Sequence, residues 1–591
     1  MGIYKEITVN DEILQQWGYK KLRIPYFDEV LKREQDFFKL QKNGQDVASV
    51  DIPETYNYNG ENYTITKIGE EAFFECRNIV NITLPNSITD IGKKAFLGCE
   101  LLENINIPSG VTNIGEYAFA CCKSLKNINI PNGVTKIQDG SFKTCESLKN
   151  IILHSGITEI GSEAFFNCKS LESINIPNNV TKIGDSAFTW CKSLKTIEIP
   201  RYVTKIEHWT FYECFSLESV NILGNVTEIE EHTFYNCKSL KTINVPNTVI
   251  KIGEWAFSDC KSLESINIPE NITKIEENTF YGCKSLKNIQ LPNTVKEIKK
   301  WAFTNCKSLE SINIPDNITK IEENTFSGCE SLKNIQLPNT VKEIKKWAFI
   351  NCKSLESINI PDNITKIEEN TFSGCESLKN IDLPNTVKDV GEHAFTDCKS
   401  LESINLSNIT SIEEGICSGC ESLNSVELPD NITEIGKSAF GNCKSLKKLT
   451  LPKSVTKIGE FAFADCESLD LTILAPEIKF EICSFSKVKN VSYKGKVENE
   501  LAFGAKKING KKTFIETGEI EYDNLLLNLL GNGRYQKWAL AISILLLISS
   551  IVAIVLICMG KISLPLEITM GIIGITLLSG IASYAFCKLL G

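Results

Sequence analysis

Apolar and polar positions recur along most of this chain at a fixed interval. The unit Ser262–Lys284 reads SLESINIPENITKIEENTFYGCK. Leu263, Ile266 and Ile268 point one way and Ser265 and Asn267 the other, which predicts a short strand with the isoleucines inward. Pro269 ends the strand, because it has no N–H for a ladder. Ile272 and Ile275 flank a Thr-Lys pair and predict a second short strand. Phe280 and Cys283 lie one helical turn apart, so a short helical turn is expected to bury both. The cysteine recurs every 23 residues from Cys76 to Cys398, reaches Cys420 by one 22-residue step, and resumes its period at Cys443 and Cys466. Phe precedes it by three residues everywhere except at Cys417. A period in the twenties predicts a solenoid whose units share one core. At roughly 4.8 Å per rung, eighteen units make a rod or arc on the order of 85 Å long.

The repeated string Asn-Ile-Pro-x-x-Ile-Thr-x-Ile-x-x-x-x-Phe-x-x-Cys-x-Ser-Leu resembles the BspA-like class of leucine-rich repeats. The resemblance covers residues 65–466 and extends to Tyr56–Ile65, which looks like the hairpin that opens such arrays. It implies a leucine-rich-repeat solenoid of short parallel β-strands plus short helical turns, with about 18 rungs. That family includes surface adhesins and host-contact proteins of microbes, and it supplies no catalytic residues to carry over.

The ends depart from the repeat. Residues 1–48 are expected to form an N-terminal helical cap, because Phe27, Val30, Leu31 and Phe38 share one helical face between Pro25 and Leu40. Charges within the first twelve residues do not fit a secretory signal. Val47 to Pro53 reads as a first strand, and Asn59-Gly60 as a two-residue hairpin turn. The solenoid is placed at 49–475, and a C-terminal cap and connector at 476–533. Residues 534–591 read as a two-helix transmembrane anchor, because 538–559 and 568–587 are uncharged and long enough to span a lipid bilayer. Arg534, Lys537 and Lys588 flank the spans and Lys561 alone lies between them. The positive-inside rule then predicts a membrane protein with its repeat domain cytosolic, the extracellular side being the alternative.

Composition changes this picture little. The net charge of −10 argues against a nucleic-acid partner. Of the 23 cysteines, eighteen are one column of the repeat, which favours a small buried hydrophobe over a disulfide framework. Cys417 and Cys420 look like a metal or redox pair, yet Cys420 is the ladder cysteine and Cys417 fills the Phe slot. The four histidines, His154, His208, His232 and His393, fall in different units. No catalytic, cofactor or metal site is expected.

Units alternate in type, so the longer period is 46 residues. Ser285–Glu330 and Ser331–Glu376 differ at one position, Thr304 against Ile350. The position after the strand leucine alternates as Glu264, Lys287, Glu310, Lys333, Glu356, and the turn before Phe as Glu276-Glu277, Lys299-Lys300, Glu322-Glu323. Opposite charges are thereby stacked one rung apart. The uncharged columns beside them, Ser265, Asn288, Ser311, Asn334, Ser357 and Asn267, Gln290, Asn313, Gln336, Asn359, form a polar strip suited to an extended protein or glycan ligand. The chain is read as a membrane-anchored, non-catalytic interaction or recognition scaffold. The alternatives are an outward-facing surface adhesin and a repeat regulator of an enzyme partner.

Overall fold

The computed structural model describes residues 5–28, 33–58, 60–494 and 515–516. Residues 49–493 wind as a parallel solenoid of about 19 turns with a period near 23 residues. Most rungs supply two short strands. In one column Thr242–Ile243 pairs with Ser265–Ile266, and in the other Lys274–Ile275 pairs with Glu297–Ile298, both parallel and in register. Alternation holds: Ile266 and Ile268 are buried, while Ser265 and Asn267 are exposed.

The third side of the rung is not helical. Residues two before and two after the ladder Phe lie in the left-handed region, as at Trp255 (φ 58°) and Asp259 (φ 55°) around Phe257. These interruptions prevent an α-helix and make alternate N–H groups point in different directions. Ser258 and Cys260 bond back three residues to Trp255 and Phe257. Trp255, Phe257 and Asp259 instead donate to Glu277, Thr279 and Tyr281 of the next rung at 3.1, 3.0 and 2.6 Å. The turn side is therefore a third hydrogen-bonded ladder, which satisfies backbone groups that a coil would leave buried and unpaired.

Phenylalanine and cysteine fill the space behind that ladder. From Phe73 to Phe395 successive rings stack with centroids 5.2–5.8 Å apart and planes within 13°. Every ladder thiol from Cys99 to Cys466 donates to the carbonyl of the residue in the Phe slot of the preceding rung, at 3.0–3.3 Å. That carbonyl also accepts the N–H of its own rung's cysteine, so both lone pairs are used. Cys417 interrupts the ring stack, but its carbonyl still accepts the Cys443 thiol at 3.2 Å. In the 22-residue rung, the Leu406 carbonyl accepts the Ile409 N–H at 3.2 Å, a bond that Pro361 and Ile364 make one unit type earlier.

The N-terminal cap is a β-structure with one short helix, which corrects the helix expected over Pro25–Leu40. Strand β1 (Lys5–Val9) joins the solenoid beside β7 (Glu61–Ile68), and α1 (Asp11–Gln16) follows, its N-cap Asn10 accepting the Ile13 N–H at 3.0 Å. Strands β2 (Tyr19–Asp28) and β3 (Arg33–Lys42) form an antiparallel hairpin, extended by β4 (Gln45–Asp46). The physical reason is the open edge of the turn ladder. Phe38 N–H donates to Glu75 and Arg77 N–H donates to Phe38, at 2.9 and 3.1 Å. A helix bonds its backbone internally except at its ends, so it has no row of groups to lay along such an edge. Asn78 adds three bonds of 2.8–2.9 Å to Leu40 and Val47. Strand β5 (Ser49–Asp51) begins the first strand column, and β6 (Thr55–Tyr58) turns through Gly60 (φ 83°) into β7, as Asn59-Gly60 predicts.

The membrane placement is also corrected. Among the described residues no helix is long and apolar enough to cross a membrane. The runs 538–559 and 568–587 lie outside the described residues, and the cytosolic assignment of the array, which rested on them, falls with them.

Charge stacking is present but solvated. Lys195–Glu172 and Lys241–Glu218 are 3.6 and 3.9 Å apart with more than half of each side chain exposed, a geometry that contributes little. Glu230 differs, at 3% exposure, with Lys205 and Lys251 at 2.8 and 2.7 Å. Burial would raise its carboxyl, but the lysine hydrogen bonds outweigh this and hold it at about 2 against an ordinary 4.5.

Two measurements check these terms. Phe303→Ala is expected to lower the unfolding free energy by about 3–5 kcal/mol in urea titrations, since it empties one slot of a close-packed stack. A carboxyl depressed in the folded state stabilises above its unfolded value of 4.5, and that contribution disappears as pH falls towards 2. Glu230→Gln is therefore expected to destabilise the protein at neutral pH and to flatten its stability profile between those two values.

Candidate functional site

The polar strip lies where the strand column places it, over an open concavity of about 600 Å³ spanning Thr242 to Pro292. Ser265, Asn267, Asn288 and Gln290 line it together with Glu270. The next two rung pairs continue the strip through Ser311, Asn313, Asn334, Gln336, Ser357 and Asn359, so the ten positions share one face. Along it, isoleucine side chains form the floor and uncharged polar side chains the surface.

The ten residues are not equivalent. Asn267, Asn313 and Asn359 turn back onto the preceding rung. Each accepts one backbone N–H and donates to the carbonyl of the same residue: Val245 at 2.9 and 2.6 Å, Leu291 at 2.7 and 2.8 Å, Leu337 at 2.7 Å for both. The amide thus continues the ladder where the two-residue strand stops. Ser311 and Ser357 donate to Asn288 and Asn334 at 2.7 and 2.8 Å. Gln290 and Gln336 are exposed, and among the described residues neither side chain is hydrogen-bonded to the protein. The face therefore consists of clamped asparagines, paired Ser–Asn rows and outward glutamines. Its chemistry is hydrogen bonding.

Nucleophilic chemistry is disfavoured in the cysteine column. Burial pushes the Cys168 and Cys352 thiols up to about 12. Cys417 and Cys420 are buried and unbridged. Among the described residues no group of three or more His, Cys, Asp or Glu could hold a metal ion.

A second surface was not read from the sequence. His208 and His232 lie in successive rungs with Trp209 between them, ring centroids 5.7 and 6.1 Å away. Tyr212 stacks on Tyr235 at 4.9 Å, and His232 on Trp255 at 5.8 Å. Trp190, Trp209, Trp255, Trp301 and Trp347, five of the seven tryptophans, have φ between 53° and 62°. For an L-residue that region costs roughly 1–2 kcal/mol, and bulky residues are rare there. Trp190 follows its ladder Phe by two residues, whereas the other four precede theirs by two, a slot that Asn278, Asn324 and Asn370 fill in neighbouring rungs. The signal was present in the sequence as Trp209, Trp255, Trp301 and Trp347 at the 46-residue period.

The sequence profile of the BspA type leucine rich repeat region matches residues 61–172, 158–283, 251–379 and 342–470. No curated protein matches the chain. Among solved structures, a leucine-rich repeat protein from Bacteroides ovatus is 27% identical, over 76% of this chain and 98% of its own, with a TM-score of 0.40. A leucine rich cell surface protein from Faecalibacterium prausnitzii is 27% identical, over 61% and 94%, with a TM-score of 0.34. The T. pallidum leucine rich repeat protein is 32% identical, over 30% and 72%, with a TM-score of 0.24.

The two kinds of strip residue are separable by mutation. Asn313→Ala leaves the Leu291 N–H and C=O without their partner and is expected to cost about 1–3 kcal/mol. Gln290→Ala, on the same face, is expected to stay within about 0.5 kcal/mol. Equal effects in chemical denaturation would remove the distinction.

Proposed function

Because the chain belongs to the BspA-type leucine-rich-repeat family, we propose that it is a non-catalytic recognition scaffold whose strand face binds an extended polypeptide. The observation that carries this reading is the row of outward polar side chains, one rung apart, over an open concavity. An extended chain presents hydrogen-bonding groups along one line, and Gln290 and Gln336 offer both donors and acceptors to such a line. The clamped asparagines hold the face rigid, which lowers the ordering cost of binding. Aromatic and arginine anchors are absent from the ten strip positions, so affinity would come from many modest contacts.

An array of extended synthetic peptides and oligosaccharides provides the test. Peptide binding is expected, and Gln290→Arg with Gln336→Arg is expected to weaken it at least tenfold while the melting temperature holds. Binding confined to oligosaccharides, or peptide binding indifferent to these two substitutions, would overturn the reading.

A further inference from the structure

The turn side departs from the chain's own charge rule over three rungs. In much of the array the residue after the ladder cysteine pairs with an opposite charge one rung away, as in Lys169–Glu146 at 2.9 Å and Lys307–Glu330 at 2.7 Å, and Lys192 and Phe215 stand outside that alternation. In the rungs of Phe234, Phe257 and Phe280 that position is lysine each time, Lys238, Lys261 and Lys284, and the run ends one rung later at Lys307, which pairs with Glu330. Seven residues earlier in the same rungs, on the other side of the ladder Phe, stand Glu231, Glu254 and Glu277. That column also alternates farther on, through Lys300, Glu323, Lys346 and Glu369.

Between the acidic and basic columns runs the aromatic band. Trp255 touches Tyr235 and Tyr281 with centroids 6.1 Å away on either side. Trp255 holds its place at φ 58°, where Asn278 serves in the next rung. Like charges stacked one rung apart repel. Glu254 registers this: burial first, then Glu277, Glu231 and Glu276, raise its carboxyl. Relief within the chain is partial: His232 lies 3.0 Å from Glu231, Asn278 donates to Glu277 at 3.5 Å, Lys238 sits 4.0 Å over the Phe215 ring, and Asp259 reaches Lys261 at 3.9 Å. The three rungs thus present an acidic edge, an apolar centre and a basic edge, side by side.

We propose that this face is a contact between two copies of the chain, related by a two-fold axis parallel to the solenoid axis. That rotation keeps the rung level and exchanges the two edges. It sets the glutamates of one copy against the lysines of the other and ring band against ring band. A two-fold axis across the solenoid would set glutamate on glutamate, so the charge pattern selects one orientation. An isologous contact of this kind needs a surface complementary to itself, and this surface is. The contact is independent of the strand-face reading, because it uses none of the strip residues.

The test uses the full chain. Mixed ¹⁴N- and ¹⁵N-labelled protein is treated with a carbodiimide, which joins a carboxylate to a lysine amine only where the two touch. Mixed-isotope cross-links between Glu254 and Lys261, and between Glu277 and Lys284, are expected. The triple variant Glu231→Lys, Glu254→Lys, Glu277→Lys and the triple variant Lys238→Glu, Lys261→Glu, Lys284→Glu are each expected to self-associate at least tenfold more weakly in sedimentation velocity. An equimolar mixture of the two should recover association, because each then meets its opposite. Unchanged circular dichroism of the variants shows that they fold. Absence of mixed-isotope cross-links at this face, or a mixture that fails to recover, would overturn the proposal.

Discussion

The structure depends on how the turn side spends its N–H groups. Placing one residue in the left-handed region on each side of the ladder Phe sends alternate N–H groups along the solenoid axis and the rest back into the turn. The backbone then pairs between rungs on a side that has no regular strand. What remains is the second lone pair of the Phe carbonyl, deep in the core. The next rung's cysteine thiol is the small, weakly polar donor that fits there without bringing a hydration demand. This explains why the column is cysteine and why oxidation is not its purpose. From Cys99 to Cys466 each ladder thiol already has a partner, and each is buried.

The same constraint separates the two long faces. On the strand side the pairing of backbones stops after two residues in the rungs from Thr242 to Ile358, and the asparagine amides of Asn267, Asn313 and Asn359 complete it. Polar residues there have a structural duty before any other. On the turn side the ladder N–H groups find backbone carbonyls, and the side chains that help, the cysteine thiols and buried threonine hydroxyls, do so from inside the core. The position two before the ladder Phe is therefore open to any residue that tolerates a left-handed φ, and at Trp209, Trp255, Trp301 and Trp347 the chain fills it with tryptophan in place of the asparagine that would suit the backbone better.

This division sets what was legible in the residues. The 23-residue period, the inward isoleucines and the Phe and Cys core could be read directly, because burial follows side-chain alternation and little else. The turn was misread as helical because Phe280 and Cys283 are three apart in both conformations. Asn305, Gly328, Asn351 and Gly374, just before their cysteines, carried the evidence for a left-handed residue. The hairpin at Tyr19–Lys42 was taken for a helix because apolar spacing alone does not reveal an open ladder edge that requires backbone partners. The polar strip was found as a surface, but nothing in the spelling Ile-Asn-Ile tells whether an amide faces solvent or clamps its neighbour. That is decided by where the strand pairing ends.

How such a rod can meet a partner follows from its ends. A parallel solenoid exposes unpaired backbone only at its two terminal rungs, and strand addition is possible only there. At the N-terminal end the edges are taken by Lys5–Val9 and by the hairpin that bonds Glu75 and Arg77. At the C-terminal end Asn490–Val491 pairs antiparallel with Ile515–Glu516. Along the flanks the backbone is paired, while at the tips Ser49–Asp51 and Lys479–Phe480 remain the outer strands of their columns among the described residues. Recognition then falls to side chains along the flanks, and because the rungs repeat, any property of one rung becomes a line. A line of uncharged polar side chains, with Gln290 and Gln336 outermost, suits an extended chain. A line of glutamates beside a line of lysines suits a surface with the order reversed, which a second copy of the same rod, turned about its own length, provides.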